Sequence, residues 1–123
     1  MTLLLLLLAC DGGGGGDSTA ADDTSGDTAA DGLCDQGLIV TYETFGKAFL
    51  LENCNSCHAS TSTARYGAPE EVHFDTIDEA WQFAGRILAR AGAEPPDMPP
   101  MGGTTDDDRA LLRTWLTCAE PGT

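Results

Sequence analysis

The sequence predicts an all-α fold: a small domain of three main helices preceded by a disordered tether. Two observations carry this. After residue 37, apolar residues recur at helical spacing in three stretches, each opened by a threonine that can cap it, and no stretch alternates as a strand would. Before residue 38 the chain is too poor in apolar side chains to bury a core. Three short helices over roughly 80 residues make a marginal core, so the domain needs an additional staple.

The chain has 123 residues with 20 acidic and 6 basic side chains, a net charge of −14. Length alone argues for one domain. The charge repels phosphate backbones and excludes nucleic-acid binding. No apolar run reaches the roughly 20 residues of a membrane-spanning helix.

The parts follow in chain order. Residues 1–9 read as the remnant of a bacterial export signal, an apolar Leu3–Leu8 stretch without the basic residues that normally precede it. Leu7-Leu8-Ala9-Cys10 resembles a lipobox, which makes Cys10 the expected site of lipidation and of membrane anchoring. The alternative is a chance apolar terminus with a free cysteine. Residues 10–37 read as the tether, with seven aspartates between Asp11 and Gly37 and no basic residue. Its ordering entropy outweighs anything it can bury. About 24 such residues span roughly 27 Å, enough to hold a domain just off a membrane surface.

Residues 38–120 form the expected domain. A first helix runs from Thr41 to about Asn53, with Val40 and Phe45 at hydrophobic-staple spacing and Tyr42, Phe45, Phe49 and Leu50 on its apolar face. A second opens on the capping-box sequence Thr76-Ile77-Asp78-Glu79 and continues through Trp81, Ala84, Leu88 and Ala91 to Gly92. A third starts at Thr104 or Thr105, places Asp106 to Asp108 in its first turn, and buries Leu111, Leu112, Trp115 and Leu116.

Cys54-Asn55-Ser56-Cys57-His58 carries the chemistry. The C-x-x-C-H run is the attachment signature of c-type haem. Thiols at i and i+3 can reach the two vinyl groups of a porphyrin, and the next residue, His58, then stands under the iron. A thiol–disulfide redox pair, half of a zinc site with Cys34, Cys118 or His73, and a plain disulfide are the alternatives. Redox pairs usually open a helix in a strand-containing fold, and the zinc reading lacks a second ligand pair at the right spacing. Once Cys10, Cys54 and Cys57 are assigned, Cys34 and Cys118 remain as an even pair, and an exported domain keeps such a pair oxidised. Their bond would close a loop of about 85 residues and stabilise by on the order of 4 kcal/mol.

The iron needs a sixth ligand, a water or an open site. Met98, Met101 and His73 are the candidates. Both methionines lie in Glu94–Gly103, a segment stiffened by four prolines. Met98, between two prolyl pairs and beside Asp97, is the favoured ligand and Met101 the backup. Arg65, Arg86 and Arg90 are candidates to neutralise haem propionates, with exposed helix charges as the alternative.

With these residues the sequence resembles the class I cytochrome c family of monohaem, all-helical, His/Met-ligated carriers. The resemblance covers Leu38 to Ala119. Cys54, Cys57 and His58 match the attachment motif. Gly46, eight residues before the first haem cysteine, matches the glycine at which the terminal helices cross. Leu50 stands four residues before Cys54, where the family often has an aromatic, and Phe49 is the neighbouring aromatic. Leu112 and Trp115 match the pair on the last helix. Met98-Pro99-Pro100 looks like the distal loop with its first methionine on iron. Pro69 stands where the family has a proline whose carbonyl accepts the Nδ1–H of the haem histidine.

The resemblance implies a one-electron carrier, not an enzyme in its own right, or a subunit of an oxidoreductase complex; the signal and lipobox reading places it outside the cytoplasm, periplasmic or on the outer surface. The segment from Gly37 onward carries about −7, from 13 acidic and 6 basic residues, so a redox partner with a basic docking patch is expected. A haem-based ligand sensor and a haem-free exported thiol or metal-binding lipoprotein are the competing functions.

Overall fold

The computed structural model describes residues 32–123. The expected export signal, Cys10 and most of the expected tether lie outside the described residues. What is described is helical, with no strand among the described residues.

Thr41 caps the first helix with its hydroxyl on the Thr44 amide, and the Thr44 side chain returns to the Thr41 amide. The opening turn, Tyr42–Gly46, is wider than an α-turn because the Gly46 amide bonds five residues back to the Thr41 carbonyl at 3.2 Å. It continues as α1, Lys47–Asn53, which buries Phe49 and Leu50. At Cys54 the backbone leaves helical geometry (φ −120°), so the C-x-x-C-H run stands on its own turn, α2, Asn55–His58.

The second expected helix is two. Thr76 and Glu79 form the predicted capping box at the start of α3, Ile77–Gln82. The chain breaks at Phe83 (φ −108°, ψ 13°) and resumes as α4, Ala84–Arg90. Phe83 packs edge-on against Phe74 at 6.1 Å, a tertiary contact with no sequence signature. Ala80, Ile87 and Ala91 are buried, while Trp81, Ala84 and Leu88 flank the core half-buried.

The last helix, α5, Asp106–Cys118, is capped by Thr105, which exchanges hydrogen bonds with Asp108. The Thr105 amide holds the Asp108 carboxyl below its ordinary range. Leu112 and Trp115 are fully buried. Gly46 lies against the Trp115 ring so closely that a Cβ there would stand 2.6 Å from it. This is where the first helix crosses the last. Tyr42 and Trp81 flank the same indole at 6.0 and 6.2 Å, and the Thr123 carbonyl accepts its N–H at 3.1 Å.

Cys34 and Cys118 stand at bonding distance, with Sγ atoms 2.10 Å apart and a sequence separation of 84. The end of the expected tether is thereby fastened to α5. No described helix is long and apolar enough to cross a membrane.

Candidate functional site

The turn α2 puts Cys54 and Cys57 one helical turn apart, with the Cys57 and His58 amides both bonded to the Cys54 carbonyl at 3.1 and 2.9 Å. Both thiols are unpaired and half-buried. Burial, and secondarily the neighbouring Cys57, push the Cys54 thiol up to about 12. It is therefore a neutral thiol near pH 7, the opposite of the low-pKa nucleophile of a redox C-x-x-C pair.

The segment 72–74 backs this turn. Asn55 donates to the Phe74 carbonyl at 3.1 Å, and the Phe74 amide donates to the His58 carbonyl at 3.0 Å. The Phe74 ring stacks on the His58 imidazole at 4.8 Å. His58 Nδ1 lies 3.0 Å from the Val72 carbonyl. A carbonyl only accepts, so Nδ1 carries a proton; in the neutral ring this leaves the Nε2 lone pair free, the arrangement that orients an imidazole for a metal.

This overturns the expectation for Pro69. Its carbonyl is taken by the Val72 amide at 3.1 Å and by Arg65 Nη2 at 2.6 Å. The turn from Pro69 to Val72 consumes the predicted acceptor and delivers the Val72 carbonyl instead, fourteen residues past His58.

Arg65 is likewise reassigned from a candidate propionate partner. Its guanidinium donates to the carbonyls of Ala59, Ala68, Pro69 and Val72, at 2.8, 3.3, 2.6 and 2.9 Å. It shares the Val72 carbonyl with His58. A planar fork of five donors suits this task and a lysine ammonium does not. Arg65→Ala is expected to cost about 2–3 kcal/mol, since hydrogen bonds from a charged donor are each worth about 1.5–3 kcal/mol and do not add. Arg65→Lys should recover less than half. Urea unfolding measures both, and a midpoint unchanged in Arg65→Ala would remove this residue from the account.

The proline-rich segment is held at several points. The Asp97 and Met98 amides both donate to the Arg90 carbonyl, at 3.0 and 3.1 Å, and the Arg90 side chain pairs with Asp97 at 2.6 Å. Arg90 is thus also committed, and among the described residues Arg86 is exposed and makes no ion pair. From α5, Arg113 donates to the Gly92 carbonyl at 2.8 Å, and the buried Arg109 donates to the Thr104 carbonyl at 3.2 Å and pairs with Asp106 and Glu94. Both ends of the segment are therefore clamped to the last helix. The two methionines part ways here. Met98 is half-buried against the core, whereas Met101 is 94% exposed.

Val72, Phe74, Arg65 and the α5 arginines were not singled out from sequence for these roles. Arg109 alone left a trace, since it falls on the apolar stripe of Leu112 and Leu116. Two surface depressions, of about 280 and 330 Å³, lie elsewhere, one beside Phe45 and Gly103 and the other over the disulfide. Trp81 keeps a buried indole N–H with no acceptor. A buried donor left unpaired costs about 1–3 kcal/mol. Comparison with protein-family models, with curated proteins and with solved structures found no match.

Proposed function

We propose that this chain is a one-electron carrier with a covalently attached c-type haem, held outside the cytoplasm by a lipid on Cys10. The observation that carries the reading is the α2 turn: two unpaired thiols at i and i+3, followed by an imidazole whose Nδ1–H is bonded to the Val72 carbonyl. Each thiol would add across one vinyl group, sulfur to one carbon and hydrogen to the other, with no net oxidation. The haem supplies Fe(III)/Fe(II) exchange. His58 Nε2 and the Met98 thioether would hold the iron, and a thioether favours the ferrous state. Two free thiols one helical turn apart and an imidazole anchored through Nδ1 are the donor set that such a group needs, so the residues of the turn fit it.

Two further observations support this over the alternatives. The raised Cys54 thiol disfavours redox exchange. Cys34 and Cys118, standing at bonding distance from each other, are not available to complete a zinc site with the C-x-x-C pair. The carrier reading requires no general acid, nucleophile or substrate pocket. Its acidic surface suits a partner with a basic patch, whose association slows with salt.

The test is a visible spectrum of the full chain matured in a host with haem-attachment machinery. A Soret band that survives acid–acetone extraction, with the weak near-infrared band of a thioether–Fe(III) pair, is the expected result. Met98→Ala should abolish that near-infrared band and Met101→Ala should leave it intact. A high-spin spectrum that shifts with carbon monoxide would move the function to ligand sensing. Absence of a covalent chromophore would leave the thiol or metal-binding lipoprotein.

A further inference from the structure

Beside the segment that backs the α2 turn, His73, Asp75 and Glu79 bring one nitrogen and two carboxylates together, with ligand atoms all within 4.8 Å of one another. Each carboxylate is already oriented by a backbone amide. One Asp75 oxygen accepts from the Ser60 N–H at 2.8 Å, and one Glu79 oxygen accepts from the Thr76 N–H at 2.9 Å as half of the α3 capping box. Ser60 also holds Asp75 through its side chain, and the other Glu79 oxygen faces His73.

His73 supplies the unexplained feature. Its side chain is 31% exposed, and its buried Nδ1 stands 2.8 Å from Glu79 Oε1 as an ion pair without the alignment of a hydrogen bond. Such a separation is what two neighbouring ligands of one ion require. At metal–ligand distances of about 2.0–2.2 Å, donors at right angles lie about 3 Å apart. One imidazole with two carboxylates selects a first-row divalent ion such as Zn²⁺ over Ca²⁺ or Mg²⁺, which take oxygen ligands.

We propose that His73, Asp75 and Glu79 form a surface site for a divalent transition-metal ion, with water completing the coordination. The ion would bridge the segment that carries Val72 and Phe74 to the first turn of α3, and so stiffen the strip of backbone behind His58. The proposal does not depend on haem.

The probe is Zn²⁺, titrated by calorimetry into the full chain after chelator treatment. Wild type should bind one ion through this site. His73→Ala and Glu79→Gln should each weaken that event at least tenfold. Gln can retain the capping role of Glu79, so a loss there reports the missing charge and not a lost helix start. The chain has two histidines, and their ring resonances separate the candidate sites. Zn²⁺ should shift the His73 ring and leave His58 unmoved. Binding that is unchanged in both variants, a shift confined to His58, or no binding at millimolar Zn²⁺ would each overturn the proposal. Should His73→Ala unfold the chain, Glu79→Gln and the wild-type ring spectrum still decide it.

Discussion

Replacing Cys34 and Cys118 together with serine should lower the unfolding free energy by about 4 kcal/mol, the largest effect expected of any change outside α2. The two sulfurs are 84 residues apart in sequence and fasten the start of the described chain to the last residue of α5. Without the link, the unfolded chain regains the freedom of a loop that spans nearly the whole domain. The folded state has little with which to offset that loss, because its core rests on three fully buried large side chains, Trp115, Leu50 and Leu112. For a domain this small the loss corresponds to a fall in Tm on the order of 20 °C. Thermal unfolding of the double variant beside wild type measures it. A fall of only a few degrees would show that the unfolded chain is already compact or that native strain cancels the gain.

Gly46→Ala is the second large effect. Gly46 has ordinary helical dihedrals, φ −56° and ψ −43°, so a methyl costs nothing in backbone strain. In an open helix alanine would even be favoured over glycine by about 1 kcal/mol. Here the new Cβ would stand 2.6, 2.7 and 2.8 Å from three atoms of the Trp115 ring. Trp115 is fully buried, with Tyr42 and Trp81 against it and its N–H tied to Thr123, so it has nowhere to go. Overpacking of this kind costs about 1–3 kcal/mol. Gly85→Ala in α4 is the internal control, since a Cβ there meets nothing within 4 Å. It should be neutral or mildly stabilising. Equal midpoints for the two variants in urea would mean that the first and last helices do not meet at Gly46. Trp115→Phe should partly relieve Gly46→Ala, and a double-mutant cycle would isolate that coupling.

The contrast between these two glycines shows where sequence reading stops. Both sit in helices, and neither has the positive φ that would mark a glycine from its neighbours. Gly46 was singled out through a family pattern, and what it touches became visible only once α5 was in place.

The parts legible in the sequence are those governed by short-range chemistry. A threonine hydroxyl reaching an amide three residues on is a local event, and Thr41, Thr76 and Thr105 all cap where their sequences place them. The one-turn spacing of Cys54, Cys57 and His58 is equally local, and the pairing of Cys34 with Cys118 follows from counting. The break at Phe83 was not legible, because it answers to Phe74 nine residues earlier. Pro69 was assigned by offset, and an offset assumes a loop shape. The turn that ends at Val72 spent the Pro69 carbonyl on Arg65 and on its own closure, and so chose a different partner for His58.

By itself, then, the sequence determined the helical class, the helix starts and the thiol–thiol–imidazole triplet, since each depends on residues within one helical turn of one another. Only the tertiary structure decided which carbonyl orients His58, that Arg65 knots the loop behind it, and that Met98 packs inward while Met101 faces water. Each of those depends on groups brought together across a loop or between helices, where hydrogen-bond acceptors compete for few donors and the winner is set by how the chain closes.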